Sequence, residues 1–248
     1  MNAPEIRFND DRLARFSPIF EGDAVGLGLV GLDAETTLTD AEGLDILAEN
    51  RSVGPQVKDI TAGGMGGPLP FRDSLQQRLD LLHLKPEDLD VLHAVYAERA
   101  FSGVGSAVER IRELAAKVVV ISGGFTRALM PFAVKLGFDP RDVHALTLGE
   151  DGQASEHLLL NPRGKRLVFD QLLQGLEGSS RQLHAMVGDG MTDVEVASDD
   201  TVFISVGDRS KVLERADISV PDISFVPEAI QALFARFGLT LQRDEAAK

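Results

Sequence analysis

The chain has no cysteine. Disulfides and thiolate-held metals are therefore excluded, and a reducing compartment fits. Long apolar runs are also missing. The longest, "AVGLGLVGL", is too short to span a bilayer, and the N-terminus "MNAPEIRFNDDRLARF" mixes charges without an apolar signal core. Positive charge is scarce: 25 Lys and Arg stand against 39 Asp and Glu, a formal net charge of -14. Nucleic-acid binding needs a basic face that displaces counterions, and the sequence offers none. Repeats and low-complexity tracts are absent as well. The expectation is a soluble, cytoplasmic protein without nucleic-acid or membrane partners, its oligomeric state left open. So acidic a surface repels small anions. An anionic substrate must be met by local positive groups, a metal or backbone N–H groups.

What is present is a rhythm. The 248 residues, 44% hydrophobic, suffice for one large domain or a core with a smaller insert. Apolar runs predict strands at "AVGLGLVGLD", "VVVISGG", "VHALTLG", "HAMVGDG" and "TVFISVG". Between and after them, "VGSAVERIRELAAK", "TRALMPFAVKLG", "GKRLVFDQLLQGL", "MTDVEVASD" and "VPEAIQALFARFG" have helical spacing. Continuous apolar strands separated by helices predict an α/β fold, its parallel sheet covered on both faces. Residues 43–96 break the rhythm with helical patterns alone, such as "AEGLDILAEN" and "LPFRDSLQQRLDLL". They read as a helical cap inserted after the first strand, with 1–42 and 97–248 forming the core. The cap is expected over the C-terminal edge of the sheet, where open α/β sheets bind ligands. The tail "QRDEAAK" is expected to fray.

Acids stand at predicted strand ends: Asp33 after "LVGL", and Asp189 and Asp193 in "MVGDGMTD". An Asp at a strand end often only caps the next turn. Carboxylates converging from several strand ends, however, repel one another unless a cation lies between them. An all-oxygen donor set without His or Cys points to Mg²⁺, and a metal beside a nucleophilic carboxylate suits phosphoryl transfer. "ISGGF" ends another strand with a hydroxyl, Ser122, and unobstructed N–H groups, either a phosphate cradle or an ordinary turn. Lys165 opens a helix, where it is either a solvated lysine or a partner for a phosphate and Asp33. Arg78 lies beside the apolar stripe Phe71, Leu75, Leu79 and Leu82, so it must snorkel out or meet an anion. Its fork suits a carboxylate.

In this order the pieces resemble the phosphoserine phosphatase family of the haloacid dehalogenase superfamily, from Val25 to Phe234. "LDAETTL" is similar to the nucleophile motif, "VVVISGGF" to the serine motif, "GK" at 164–165 to the lysine motif and "VGDGMTD" to the acidic motif. "AEGLDILAE" and "ITAGGMGGPLPFRDSLQQRL" resemble the cap segments, which narrow the match to phosphoserine-like substrates. The resemblance implies a doubly wound sheet and an aspartyl-phosphate mechanism acting on O-phospho-L-serine. By position, Asp33 is implied as nucleophile and Glu35 as acid and base. Asp33, Asp189 and the carbonyl of Glu35 are implied as Mg²⁺ ligands, with Asp193 in support. Ser122, Gly123, Lys165 and Thr192 fall to the phosphoryl group. Glu42 falls to the substrate amino group, Arg78 to its carboxylate, and Met65 and Phe71 to the cap pocket.

The family motif carries Asp where this chain has Glu35. The chemistry survives, because the two acids differ little in pKa. The geometry changes: one methylene moves the carboxyl by roughly an ångström, and such a misplacement can cost about 10²-fold. Glu35→Asp is therefore expected to raise turnover, and an unchanged or lower rate would mean a pocket adapted to Glu. Thr192 replaces the usual Asn with a shorter, single-donor group, and Thr36 replaces Ser. These departures keep two alternatives open: the same chemistry on another small phosphomonoester, or a catalytically weak binding protein on the same fold.

Overall fold

The structure, a computed structural model, describes residues 5–21, 26–49, 51–66, 69–176 and 182–239. The tail expected to fray, 242–248, lies outside them, as do the first residues of the strand expected from Ala24. In chain order the elements are β1 (Arg7–Phe8), α1 (Asp10–Leu13), α2 (Ser17–Phe20), β2 (Gly26–Leu32), α3 (Gly43–Ala48), α4 (Gly54–Gly66), α5 (Phe71–Leu82), α6 (Leu92–Glu98), α7 (Val104–Leu114), β3 (Ala115–Phe125), α8 (Thr126–Lys135), β4 (Val143–Leu146), α9 (Gly164–Gln174), β5 (Gln182–Gly188), α10 (Met191–Val194), β6 (Thr201–Val206), α11 (Ser210–Leu213), β7 (Ile218–Val220) and α12 (Val226–Arg236).

The strands form one seven-stranded sheet in the order β1-β7-β6-β5-β2-β3-β4, parallel except for the β1–β7 pair. After the edge strand β1, the chain crosses to β2 at the centre, winds outward through β3 and β4, then crosses back to β5 and winds the other way through β6 and β7 to pair with β1. The reversal lies between β2 and β5, so their C-terminal ends open a crevice there. Asp33 and Asp189 are the residues that follow those two strands directly.

The central strands lack alternation because both faces are covered. Every residue of β6 is buried, and so is all of β2 after Gly26. Helix α7 shows the complementary pattern, burying Val104, Ala107, Val108 and Ile111 along one stripe. Each such side chain contributes roughly 1.5–3 kcal/mol by leaving water. Between β2 and β3 the described chain forms no strand. Helices α3, α4 and α5 pack on one another, whereas α6 packs on α8 beside the sheet.

Several expected boundaries move. The helix expected over 104–117 stops at Leu114, because Ala115 and Lys117 pair with Leu27 and Leu29 of β2. Local helix preference yields here to sheet pairing. The strand expected over 143–149 stops at Leu146, and the helix over 191–199 stops at Val194. Strands β1 and β7 are too short for periodicity to reveal. They are held by Asp217, fully buried, which accepts from Arg12 Nε at 2.9 Å, Arg15 Nη2 at 2.6 Å and the Phe203 N–H at 2.8 Å. No helix among the described residues is long and apolar enough to cross a membrane.

Candidate active site

The crevice is lined by the residues assigned roles above: Asp33, Glu35, Glu42, Met65, Phe71, Arg78, Ser122, Gly123, Lys165, Asp189, Thr192 and Asp193. Strands β2, β3 and β5 bring the nucleophile candidate, the serine and the acidic motif to one edge. Helices α9 and α10 supply Lys165 and Asp193, and α4 and α5 close the pocket from the opposite side.

On the sheet side, Asp33, Asp189 and Asp193 are all buried and can each offer an oxygen within 4.8 Å of the others. Lys165 is 6% exposed, so it is no solvated lysine. Its Nζ lies 3.0 Å from Asp33 Oδ1 and 2.6 Å from Asp193 Oδ1. Burial by itself would push the ammonium down, but the two carboxylates more than offset this and hold it protonated. Asp33 Oδ1 also accepts from the Ala34 N–H at 2.8 Å, so its carboxylate is fixed in orientation.

The donor set fits a hard cation. Both Asp193 oxygens are engaged, Oδ1 by Lys165 and Oδ2 by the Gly190 N–H at 3.0 Å. Asp189 Oδ2, in contrast, is buried and accepts no hydrogen bond, although Arg209 Nη1 stands 2.7 Å away as an ion pair. Burial, and then Asp33, push the Asp189 carboxyl up. A cation among these oxygens would relieve both effects, and oxygen donors alone suit Mg²⁺.

Ser122 is buried, and its Oγ accepts from the Gly124 N–H at 3.2 Å, which leaves the hydroxyl proton to donate into the pocket. Gly123 lies close under the tip of the Phe71 side chain. A Cβ there would lie 2.8 Å from the Phe71 ring, so the first residue of α5 closes directly over the cradle. The backbone is strained on both flanks. Thr36 and Arg163 have φ of 54° and 58°, non-glycine residues in the left-handed region beside Glu35 and Lys165.

On the side formed by α4 and α5, Arg78 does not snorkel. It is 8% exposed and reaches Thr61 Oγ1 and the Ser74 carbonyl at 3.3 Å each. Its charged neighbours are Glu42, Glu35 and Asp45. Glu42 Oε1 is buried without a partner. Burial, then Glu35 and Asp189, push this carboxyl well up, and Arg78 pulls it partly back. The Glu35 carboxyl is also pushed up, chiefly by burial, while bonds from Tyr96 and the Gly43 N–H oppose the shift.

Sequence reasoning missed Thr61, Tyr96 and Arg209. Nothing near Arg209 in "VGDRS" marks it. Tyr96 had one available signal: it is the only tyrosine in the chain.

The sequence matches the model of the haloacid dehalogenase-like hydrolases over residues 28–199, and this match sets the class. Relatives include the phosphoserine phosphatases of Bos taurus, 31% identical over 201 residues (78% of this chain, 88% of that one), and of Wolinella succinogenes, 32% identical over 174 residues (68% and 82%). A solved phosphoserine phosphohydrolase-like protein from Francisella tularensis shares the fold, with a TM-score of 0.70 at 21% identity, covering 82% of this chain and all of that one. The chain belongs to the phosphoserine phosphatase family of the haloacid dehalogenase superfamily, and it is a phosphoric monoester hydrolase.

Proposed function

We propose that the protein hydrolyses O-phospho-L-serine to L-serine and phosphate, as a step of serine biosynthesis, with Mg²⁺ as cofactor. One observation carries the substrate. Arg78 and the unpartnered Glu42 carboxylate face one pocket with Lys165, Ser122 and the acidic cluster. A guanidinium and a carboxylate side by side are the counter-charges of an amino-acid head group, and the cradle beyond them suits its phosphate. The names of the relatives support the same reading.

In this mechanism an Asp33 carboxylate oxygen attacks phosphorus, and the bond from phosphorus to the serine oxygen breaks. Glu35, protonated at that stage, gives its proton to the leaving oxygen. A water oxygen then attacks phosphorus of the aspartyl phosphate while its proton passes to Glu35. The phosphorus–Asp33 bond breaks, phosphate leaves and Asp33 is restored. The raised carboxyl of Glu35 suits this alternation. Ser122, Gly123, Lys165 and Thr192 hold the phosphoryl oxygens. Glu42 takes the ammonium and Arg78 the carboxylate, while Met65 and Phe71 wall the pocket. Residues 43–96 act as the cap domain that shuts this pocket from water. Asp33, Asp189 and the carbonyl of Glu35 would hold Mg²⁺, with Asp193 in support. When bound, the cation neutralises the converging carboxylates and the phosphoryl charge.

A second reading keeps the chemistry and changes the leaving group. The pocket continues into an open groove lined by Leu69, Arg72, Asn161, Arg163 and Arg215, with room for a larger phosphomonoester. The test is phosphate release from O-phospho-L-serine with Mg²⁺, native chain against Asp33→Asn. Release that the substitution abolishes supports the proposal. Release only from other phosphomonoesters moves the assignment to the second reading.

A further inference from the structure

We infer that Tyr96 is a positioning residue for Glu35, and that with Gly43 it forms a bracket adapted to glutamate at this position. The inference rests on the reading of Glu35 as acid and base, and it explains how the family's Asp can be absent.

The geometry is specific. Glu35 Oε1 accepts two hydrogen bonds, one from the Tyr96 hydroxyl and one from the Gly43 N–H at 2.8 Å. The other oxygen, Oε2, carries neither and lies toward β3, 3.3 Å from where a Cβ on Gly124 would stand. One oxygen is thus clamped and the other presented to the end of the serine motif. The clamp admits no side chain at residue 43, because a Cβ there would lie 2.7 Å from Glu35 Oε1 and would strike the Tyr96 hydroxyl.

Tyr96 is itself held from several sides. It is 1% exposed, its ring packs against Phe132 of α8 at 6.3 Å between centroids, and its carbonyl accepts from Thr39 Oγ1 at 3.0 Å. Thr39 ends the same loop that carries Glu35, and the two residues form a β-bridge. Helix α6 packs on α8 rather than on α4 or α5. The phenol is therefore anchored to the core layer through α8, while the second donor, Gly43, opens α3. A buried hydroxyl without a partner costs stability that Phe would avoid. Here the partner is Glu35, and burial keeps the phenol protonated as a permanent donor. An Asp at 35 would fall about one carbon–carbon bond short of both donors. The expectation for Glu35→Asp thus reverses, from a gain in turnover to a loss.

The test combines a kinetic cycle with a spectroscopic one. Tyr96→Phe should lower kcat about tenfold, as expected for a loosened catalytic group, with KM within about twofold. In a Glu35→Asp background the same change should cost less than about twofold, because the shorter acid no longer meets the phenol. The chain has one tyrosine and no tryptophan, so tyrosine emission reports Tyr96 alone. Phenol emission depends on the hydrogen-bond partner of the hydroxyl, so Glu35→Gln should change it. Kinetics are run on O-phospho-L-serine and on p-nitrophenyl phosphate. Turnover of only the latter would refute the serine substrate while the cycle still decides this inference. An unchanged kcat in Tyr96→Phe, an equal loss in both backgrounds, or emission indifferent to Glu35→Gln would each overturn it. Absence of any Asp33-dependent turnover would overturn both.

Discussion

Arg78 shows how burial turns an ambiguous residue into a specific one. A guanidinium on the edge of an apolar stripe has two outlets, and the stripe by itself cannot choose between them. Packed against α4 at 8% exposure, it is turned into the crevice rather than out to the surface, and its protein contacts are long. It retains donors for a carboxylate. Arg78→Lys keeps the charge but loses the fork, so KM for O-phospho-L-serine should rise on the order of tenfold. O-phosphoethanolamine, which lacks the carboxylate, should be much less affected, and steady-state kinetics on the pair would check this. Lys165 follows the same logic: its place at a helix start was legible, but its contacts with Asp33 and Asp193 come from residues far apart in the chain. Arg209 and Tyr96 had no local pattern, because their partners lie in other elements.

At the scale of elements, the switch point depends on an irregular pairing. The register between β2 and β5 shifts between Leu27 and Val30. The Leu29 N–H is instead accepted by His184 Nδ1 at 3.0 Å. That role requires Nδ1 to be unprotonated. Burial lowers the His184 pKa, with Asp200 opposing the shift and Arg166 adding to it. The unfolded chain therefore takes up the proton first. Stability is fully present above about pH 6.5 and is lost as pH falls below it, at up to about 1.4 kcal/mol per pH unit. His144 titrates in the same direction, also through burial. Urea midpoints at pH 7.5 and 5.5 should separate more in the native chain than in His184→Gln, whose amide oxygen can accept the same bond without titrating. Equal separations would show that the bond does not govern this loss. The strands themselves were readable as apolar runs, whereas this bulge was not, since it arises only when two strands meet.

For the whole molecule, the net charge of -14 and a buried acidic cluster act together. Mg²⁺ binding only the folded chain at about 100-fold its Kd adds about 2.7 kcal/mol, which for a chain of this size raises Tm by about 5–10 °C. Thermal melts with and without the ion check this, and chelation should reverse the gain. Asp189→Asn should lose most of it. The gain should shrink as pH falls, because burial and Asp33 push the Asp189 carboxyl up and favour its protonated form, which must lose the proton to take the cation. The same scale separates two sources of information. The amino-acid sequence alone determined the α/β class, the helical segment after β2 and the residues now found in one pocket. The class, the helical segment after β2 and the pocket residues are each written in local periodicity or in short motifs at element ends. Only the tertiary structure decided which side of each ambiguity held. Burial removed water from Arg78 and Lys165, the reversal between β2 and β5 set Asp33 beside Asp189, and the packing of α6 on α8 placed Tyr96 against Glu35. Those outcomes depend on contacts between residues distant in the chain, which no local pattern encodes.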